Sequence, residues 1–243
     1  GLNQWTIEEV SITLATGIRD YPGGTLTMTV GSSTSFSVGE TLTGGTSAAT
    51  ASVTSKPSST TLAITIPSGT FSSGETIIGG TSGASSTLAA AVDLTNVQST
   101  IDILSAVVTR DSTDFEIQRV SRSSFLNIPN KSQSGRPNQF FLNRQITPVL
   151  QIWPAPENDT DIVKFNRLTR IDDADAYTNT AEVPFRFYPC LTAGLAYYLS
   201  MKRNPQLMGA LKTIYEEELQ RALDEDRDRA SLRISPSYET YRS

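Results

Sequence analysis

The sequence predicts an α+β protein: a domain of short β-strands followed by a C-terminal helical hairpin or bundle, with an all-β module inserted near the N-terminus. Three observations predict this arrangement. Charge is unevenly distributed, a Thr/Ser/Gly-rich segment contains an internal repeat, and the apolar spacing changes from alternating to helical after Pro184. The 243 residues are enough for one large domain or two ordinary ones.

Charged residues are concentrated in the second part of the chain. Of the 45 Lys, Arg, Asp and Glu residues, only eight lie in 1–95. The hydrophobic fraction of 37% is low for a compact globular protein and fits a thinly packed Ser/Thr/Gly-rich segment. The net charge of −5 argues against a globally basic nucleic-acid binder.

The segment 24–95 contains two copies of one pattern, 35 residues apart. Residues 36–47 read FSVGETLTGGTS, and residues 71–82 read FSSGETIIGGTS. An alternating segment, typical of a β-strand, precedes each copy. We therefore expect 24–95 to be an inserted Ig-like or β-roll module with its ends close together and with Phe36 and Phe71 in its core.

Further alternating segments predict a β-rich core made of 1–23 and 96–183. Prolines separate these segments and confine them to short strands. The strand candidates are 10–14, 101–108, 115–118, 139–142, 149–153 and 161–165.

Residues 184–235 are predicted to be helical. The first helix should run from Phe185 to Met201 with Pro189 in its first turn, and the second should begin at an Asn204 cap and continue to about Leu232. The expected apolar stripes are Phe187, Leu191, Leu195, Tyr198 and Leu199 on the first helix, and Met208, Leu211, Tyr215, Leu219 and Ala222 on the second. Pro236 should end the helical region and leave 236–243 as an extended tail.

The composition does not favour an enzyme. The chain has no His and a single Cys, Cys190, which excludes Ser-His-Asp and Cys-His catalysis and His-ligated zinc. The carboxylates of 216–218 and 224–228 follow one another on a helix and should point in different directions, while the i,i+4 spacing of Glu217, Arg221 and Glu225 indicates a solvated, ion-paired surface.

Two smaller features have simple interpretations. The acidic turn 172–175 lacks the spacing of a calcium loop, and Cys190 should be a packed thiol. No apolar run is long enough to span a membrane. We expect no catalytic residue, no cofactor, no metal site and no membrane contact.

A basic stretch extends from Gln118 to Pro156, where five basic residues occur without an acidic one. They are Arg119, Arg122, Lys131, Arg136 and Arg144. The stretch could bind nucleic acid or form a subunit interface that meets an acidic helix of the next copy. The negative net charge favours the interface.

Several blocks of sequence, taken in order, resemble one protein family. The blocks are 119–122, 125–131, 135–137, 143–148, 150–156, 183–187, 195–199 and 222–230. Together they resemble the head-to-tail adaptor proteins of short-tailed bacteriophages, of the tail tubular protein A type. The resemblance covers about 2–21 and 97–236.

The resemblance implies a non-enzymatic ring of twelve copies in the neck of a virion that assembles in the host cytoplasm. Such a ring lies between the portal protein and the tail nozzle protein and lines the channel through which genomic DNA leaves. The chain departs from the family in two ways. The helical segment that would precede Trp5 is not part of this sequence, and the repeat of 24–95 interrupts the adaptor core.

The C-terminal tail from Leu232 to Ser243 has apolar anchors with little core of its own. These anchors, Leu232, Ile234, Tyr238 and Tyr241, are expected to dock on the portal protein.

A second function class remains open: a virion surface or fibre-associated module that recognises a host glycan through the β repeat. Glycan sites usually need aromatic platforms beside polar groups. The repeat offers only Phe36 and Phe71.

Overall fold

The computed structural model describes residues 6–171 and 182–227. The chain divides into two compact units, a β-rich unit of Ile7–Ile171 and a helical unit of Asp172–Ser243 together with Gly1–Thr6. The described residues contain fourteen strands in three sheets and four α-helices, two of which form a C-terminal pair. The predicted α+β class is confirmed.

The strands are β1 Ile7–Thr13, β2 Asp20–Pro22, β3 Thr27–Thr29, β4 Thr41–Gly44, β5 Thr50–Ser58, β6 Thr61–Ile64, β7 Thr76–Gly79, β8 Ser85–Thr87, β9 Thr100–Arg110, β10 Thr113–Glu116, β11 Gln118–Arg119, β12 Gln139–Asn143, β13 Val149–Trp153 and β14 Ile162–Thr169. The helices are α1 Thr95–Gln98, α2 Arg122–Leu126, α3 Tyr188–Arg203 and α4 Met208–Glu225. A 3-10 turn precedes each of the last two, Phe185–Phe187 before α3 and Pro205–Leu207 before α4.

Two four-stranded sheets, in the orders β1-β14-β9-β10 and β11-β12-β13-β2, enclose one hydrophobic core. We call this pair of sheets the sandwich. Strands of both sheets alternate buried and partly buried residues, so each contributes one apolar face to the core. The single strand predicted at 115–118 is wrong. Ile117 is buried where the chain leaves the first sheet after Glu116 and enters the second at Gln118, so that segment forms two strands, β10 and β11.

The predicted all-β module is one six-stranded sheet, in the order β3-β6-β5-β4-β7-β8. Its two outer strands meet through a bridge between Val30 and Leu88, with a 3.0 Å hydrogen bond from Gly31 N to Thr87 O. The sheet is therefore a small closed barrel rather than two stacked sheets, and closure leaves no unpaired edge. Phe36 and Phe71 are both buried inside it, as predicted.

The two copies of the repeat are related by an approximate two-fold axis through the pairing of β4 with β7. Leu42 lies opposite Gly79, and Gly44 lies opposite Ile77, so each copy presents the same strand to the other in antiparallel orientation. Neither copy encloses a core alone. The barrel is complete only when both are present.

Two glutamates link the halves of the barrel through hydrogen bonds to a turn of the opposite repeat. We call these two sets of hydrogen bonds the clasps. Glu40 accepts hydrogen bonds from Thr81 N and Ser82 N, at 3.2 and 2.9 Å, and from the Ser82 hydroxyl at 2.8 Å. In the other direction, Glu75 accepts the equivalent bonds from Thr46 N and Ser47 N at 3.1 and 2.9 Å and from the Ser47 hydroxyl. Each repeat thus supplies the carboxylate that orders the Gly-Gly-Thr-Ser turn of its partner.

Glycine is required where each clasp closes. A Cβ on Gly79 would lie 2.6 Å from Glu40 Oε2, and one on Gly44 would lie 2.7 Å from Glu75 Oε2. These distances are too short for a side chain, so the first glycine of each Gly-Gly pair allows the carboxylate to reach the turn. The recurring Gly-Glu and Gly-Gly-Thr-Ser segments are two halves of one contact.

The clasps also fix the ionisation of their carboxyl groups. Burial alone would raise the pKa of Glu40, but hydrogen bonds from Ser82, Ser37 and Thr81 outweigh burial and hold that pKa below its usual value. The pKa of Glu75 is lowered in the same way by Ser47, Ser72 and Thr46, again against the effect of burial. Both carboxyls therefore remain ionised inside the barrel.

The two ends of the module lie side by side, as an insertion requires. Thr25 N donates a 2.9 Å hydrogen bond to Asn96 Oδ1, and the Thr100 hydroxyl donates a 2.8 Å bond to Gly23 O. The barrel core extends to Val97, two residues beyond the predicted boundary, because α1 closes one end of it.

Arg167 holds this junction from inside the sandwich. Its guanidinium is 1% exposed, pairs with Glu8 at 2.6 Å, and donates to Asn96 O at 2.7 Å and to the Thr100 hydroxyl at 2.8 Å. A Cβ on Gly24 would overlap the Arg167 guanidinium. The sandwich and the entrance to the barrel are therefore fixed at one buried charge.

The helical unit is an antiparallel pair. Arg186, at the start of the first helical segment, pairs with Asp226 at the end of α4, and the rings of Tyr197 and Tyr215 stack at 6.1 Å between the two helices. Pro189 lies in the first turn of α3, as predicted.

The predicted second helix is wrong in two respects. It ends at Glu225 rather than near Leu232, because Asp226 turns out of the helix and engages Arg186. The Asn204 side chain makes no capping hydrogen bond, because a 3-10 turn beginning at Pro205 separates it from α4.

We predict that Glu40→Gln and Glu75→Gln each lower the free energy of unfolding by about 2 kcal/mol, because a Gln amide cannot accept all the hydrogen bonds that the carboxylate accepts. The two losses should be similar because the contacts are equivalent. Urea unfolding followed by circular dichroism, with amide exchange across 24–95, measures them, and the exposed Glu9→Gln is the control.

The pH dependence follows from the direction of the pKa shifts. A lowered pKa in the folded state stabilises the protein above the unfolded-state pKa, about 4.3 for Glu, and this stabilisation is lost as pH falls through the folded-state value. The wild type should lose stability below about pH 4 more steeply than either variant. Equal slopes would contradict the clasp.

We also predict that replacing 24–95 with a short Gly/Ser linker leaves the sandwich folded. The barrel has its own core, and the chain ends on either side of it are adjacent. Circular dichroism and a cooperative melt measure the outcome. Aggregation of the shortened chain would show that the sandwich needs the barrel.

Candidate interaction surfaces

Two residues of the basic stretch pair with one acid outside it. Asp102, on β9, accepts hydrogen bonds from Arg119 Nη2 at 2.8 Å and from Arg144 Nη2 at 3.0 Å. Sequence reasoning missed this acid because it precedes Arg119 by 17 residues and reaches it only through the packing of the two sheets.

The remaining basic residues have separate local settings. Lys131 donates to the carbonyl oxygens of Leu126 and Ile128, at 2.9 and 3.1 Å, just after α2. The Arg136 guanidinium lies 3.7 Å above the ring of Phe115. Arg122 is exposed at the start of α2. Four of the five predicted basic residues thus contact their own chain.

The predicted apolar stripe of α3 does not face α4. Leu191, Leu195, Tyr198 and Leu199 are 53–61% exposed, and only Phe187 of that stripe is buried. The contact with α4 is made instead by the smaller residues Cys190 and Gly194 together with Tyr197. The predicted apolar stripe is therefore exposed apart from Phe187. We call its exposed residues, Leu191, Leu195, Tyr198 and Leu199, the α3 apolar face.

Gly194 explains why the smaller side of α3 is buried. A Cβ at this position would lie 3.0 Å from the Tyr215 ring, so glycine lets that ring pack directly on the backbone of α3. Helix packing favours the side that allows the closest approach, even where a neighbouring side is more apolar.

The α3 apolar face continues beyond the helix. Phe185 is 78% exposed and Tyr188 is 49% exposed, so the apolar surface extends back into the preceding 3-10 turn. From Phe185 to Met201 the only charged residue is Arg186, and that residue pairs with Asp226. No described part of the chain covers this face.

The outer side of α4 is ion-paired, as predicted, but with different partners. Arg221 pairs with Glu218 at 2.7 Å rather than with Glu217 or Glu225. Lys212 pairs with Glu216 at 3.5 Å. Residues three and four apart are both neighbours on a helix, and sequence spacing alone does not choose between them.

The outside of the barrel is rich in hydroxyl groups and carries few charges. Of the four charged residues in 24–95, Glu40 and Glu75 are buried in the clasps, and Lys56 donates to backbone oxygens of Thr34 and Phe36. Since Phe36 and Phe71 are buried, neither is available as a stacking platform for a sugar. This surface gives the glycan hypothesis no specific support.

An open groove of about 540 Å³ runs between the sandwich and the barrel. Ile18 and Val149 line it on the sandwich side, and Ile66 lines it on the barrel side. Asp20 and Ser52 add polar groups, but the described residues that line the groove include no aromatic ring.

Three sequence predictions concern possible chemistry. Cys190 is buried, as predicted, and burial raises the pKa of its thiol. Across residues 6–171 and 182–227, no group of His, Cys, Asp or Glu is arranged to hold a metal ion, and no helix is long and apolar enough to cross a membrane. The acidic turn 172–175 lies outside the described residues. The four predicted tail anchors also lie outside them: Leu232, Ile234, Tyr238 and Tyr241.

We predict that Asp102→Asn increases the affinity for non-specific duplex DNA, because it frees Arg119 and Arg144 to contact phosphates. The plot of log affinity against log salt should steepen by up to about two. Fluorescence anisotropy with a labelled duplex measures this. The control is Asp111→Asn, which removes the same charge at an exposed position outside the ion pairs that the structure describes on β9 and β14. An equal gain in both variants would show a net-charge effect only.

No protein-family model matches the chain, and no curated protein matches it in sequence.

Proposed function

We propose that the chain is a structural head-to-tail adaptor of a short-tailed bacteriophage. In this function it forms a ring in the virion neck, binds the portal protein on one side and the tail nozzle protein on the other, and lines the exit channel for genomic DNA. The observation that carries the proposal is the α3 apolar face. The proposed twelve copies come from the sequence resemblance alone.

The size of the α3 apolar face fits an assembly surface. Five large side chains on this side of α3, Tyr188, Leu191, Leu195, Tyr198 and Leu199, are 49–61% exposed. Burying a side chain of this kind contributes roughly 1.5–3 kcal/mol, so several together could stabilise an association strongly. Exposed apolar patches of this kind mark protein–protein or membrane contacts in soluble proteins.

The chemistry of the face limits the kind of partner. A surface without free charge over about three turns of helix, from Tyr188 to Leu199, needs an apolar counterpart, as in obligate protein assemblies. Transient, salt-sensitive contacts instead rely on exposed charges. A permanent structural assembly therefore fits this face better than a regulatory encounter does.

The β-rich unit fits the same function. Asp102 ties Arg119 and Arg144 to the sandwich, so these two residues of the basic stretch consolidate the fold. The barrel is attached at one junction with adjacent ends, which lets it decorate an adaptor without interrupting the strands of the core.

The proposal is tested with purified portal rings and purified particles. The full chain should co-sediment with portal rings, and antibody labelling should place it at the neck. The paired substitution Tyr238→Ala and Tyr241→Ala should weaken co-sedimentation at least about tenfold, because each substitution removes one apolar anchor from the tail.

The matched control is Ser237→Ala with Thr240→Ala, which changes the same tail without removing an aromatic ring. Equal binding by both paired variants would contradict portal docking by the tail. Absence of the protein from the neck of particles would contradict the adaptor function itself.

A further inference from the structure

We infer that the helical pairs of neighbouring copies stack head to tail, with the α3 apolar face of one copy against α4 of the next. The receiving surface is a second apolar stripe formed by Leu207, Leu211 and Ile214, which we call the α4 stripe. This inference rests on the proposed ring and names the surfaces that would close it.

The two apolar surfaces lie on opposite sides of the helical pair. In α3 the residue closest to α4 is Gly194, and in α4 the matching residue is Tyr215. Each following residue is rotated by about 100° around its helix. In an antiparallel pair, the residue that follows Gly194 and the residue that follows Tyr215 point to one side of the pair. The residues that precede them point to the opposite side.

Leu195 follows Gly194, whereas Ile214 precedes Tyr215. The α3 apolar face and the α4 stripe therefore point in opposite directions. The same rule places Glu216 beside Leu195, and the Lys212–Glu216 ion pair borders the α3 apolar face on α4.

Both sides of the helical pair expose apolar side chains. The α3 apolar face carries the long side chains Leu191, Leu195 and Tyr198, all more than half exposed. On the opposite side, Leu207 and Ile214 are about half exposed, and the neighbouring part of α3 presents Ala193 and the partly buried Tyr197. Each side can therefore bury apolar area against the other.

A second copy of this chain is therefore the occupant that the surfaces favour. Its α4 stripe offers an apolar counterpart with no charged residue between Leu207 and Ile214 except Lys212, which points toward the other side. If two α3 apolar faces met symmetrically, the contact would close at two copies and leave both α4 stripes exposed. A contact between opposite sides repeats from copy to copy and can close into a ring.

Cysteine cross-linking tests the inference directly, because the one native cysteine is buried. The variants Leu195→Cys and Ile214→Cys are made separately and then mixed under mild oxidation. The equimolar mixture should give disulfide-linked dimers at least tenfold more abundantly than either variant alone, and the double variant should give a ladder of multimers. Both positions are exposed, so unchanged circular dichroism is expected.

Thr213→Cys provides the matched control, because it is exposed on α4 beside Ile214 but points away from α3. Cross-linking of Leu195→Cys to itself would overturn the inference in favour of a symmetric dimer. Equal cross-linking of Leu195→Cys with Thr213→Cys, or no cross-linking in any mixture, would also overturn it.

The outcome is separable from that of the proposed function. A ladder from the double variant with no binding to portal rings would support the head-to-tail contact and reject the adaptor function. Portal binding by a chain that gives no ladder would reject the contact and leave the function in place.

Discussion

The β-rich unit depends on one buried charge, the guanidinium of Arg167. A buried guanidinium is costly unless its donors are satisfied, and here they are taken by Glu8, Asn96 O and the Thr100 hydroxyl. These partners come from the first strand, from α1 and from the start of β9. One side chain therefore fixes where the sandwich begins, where the barrel ends and where the chain returns to the core.

The barrel uses the same physical device twice. Glu40 and Glu75 are ionised groups inside a closed sheet, and each accepts one hydrogen bond within its own repeat and the others from the turn of the other repeat. The consequence is mutual dependence, since most of the donors for each carboxylate come from the other half. A module with few large apolar residues thus gains specificity from polar contacts that hydrophobic packing alone would not supply.

The helical unit shows how close packing can override apolar periodicity. Helical spacing marks Leu191, Leu195 and Leu199 as the most apolar side of α3, yet Gly194 allows Tyr215 to pack on a different side. The displaced stripe becomes the surface on which both proposals rest. A helix with two apolar sides is suited to a chain that must pack within itself and against a neighbour.

The sequence by itself determined the α+β class, the position and repeat of the all-β module, the burial of Phe36 and Phe71, and the strand at 149–153. These features follow from local periodicity and from turn residues, which act over short distances along the chain. Tertiary structure alone decided that Asp102 pairs with Arg119 and Arg144, that the two glutamates cross between repeats, and which side of α3 faces α4. Each of these contacts joins residues distant in sequence, and its geometry exists only after the elements have packed.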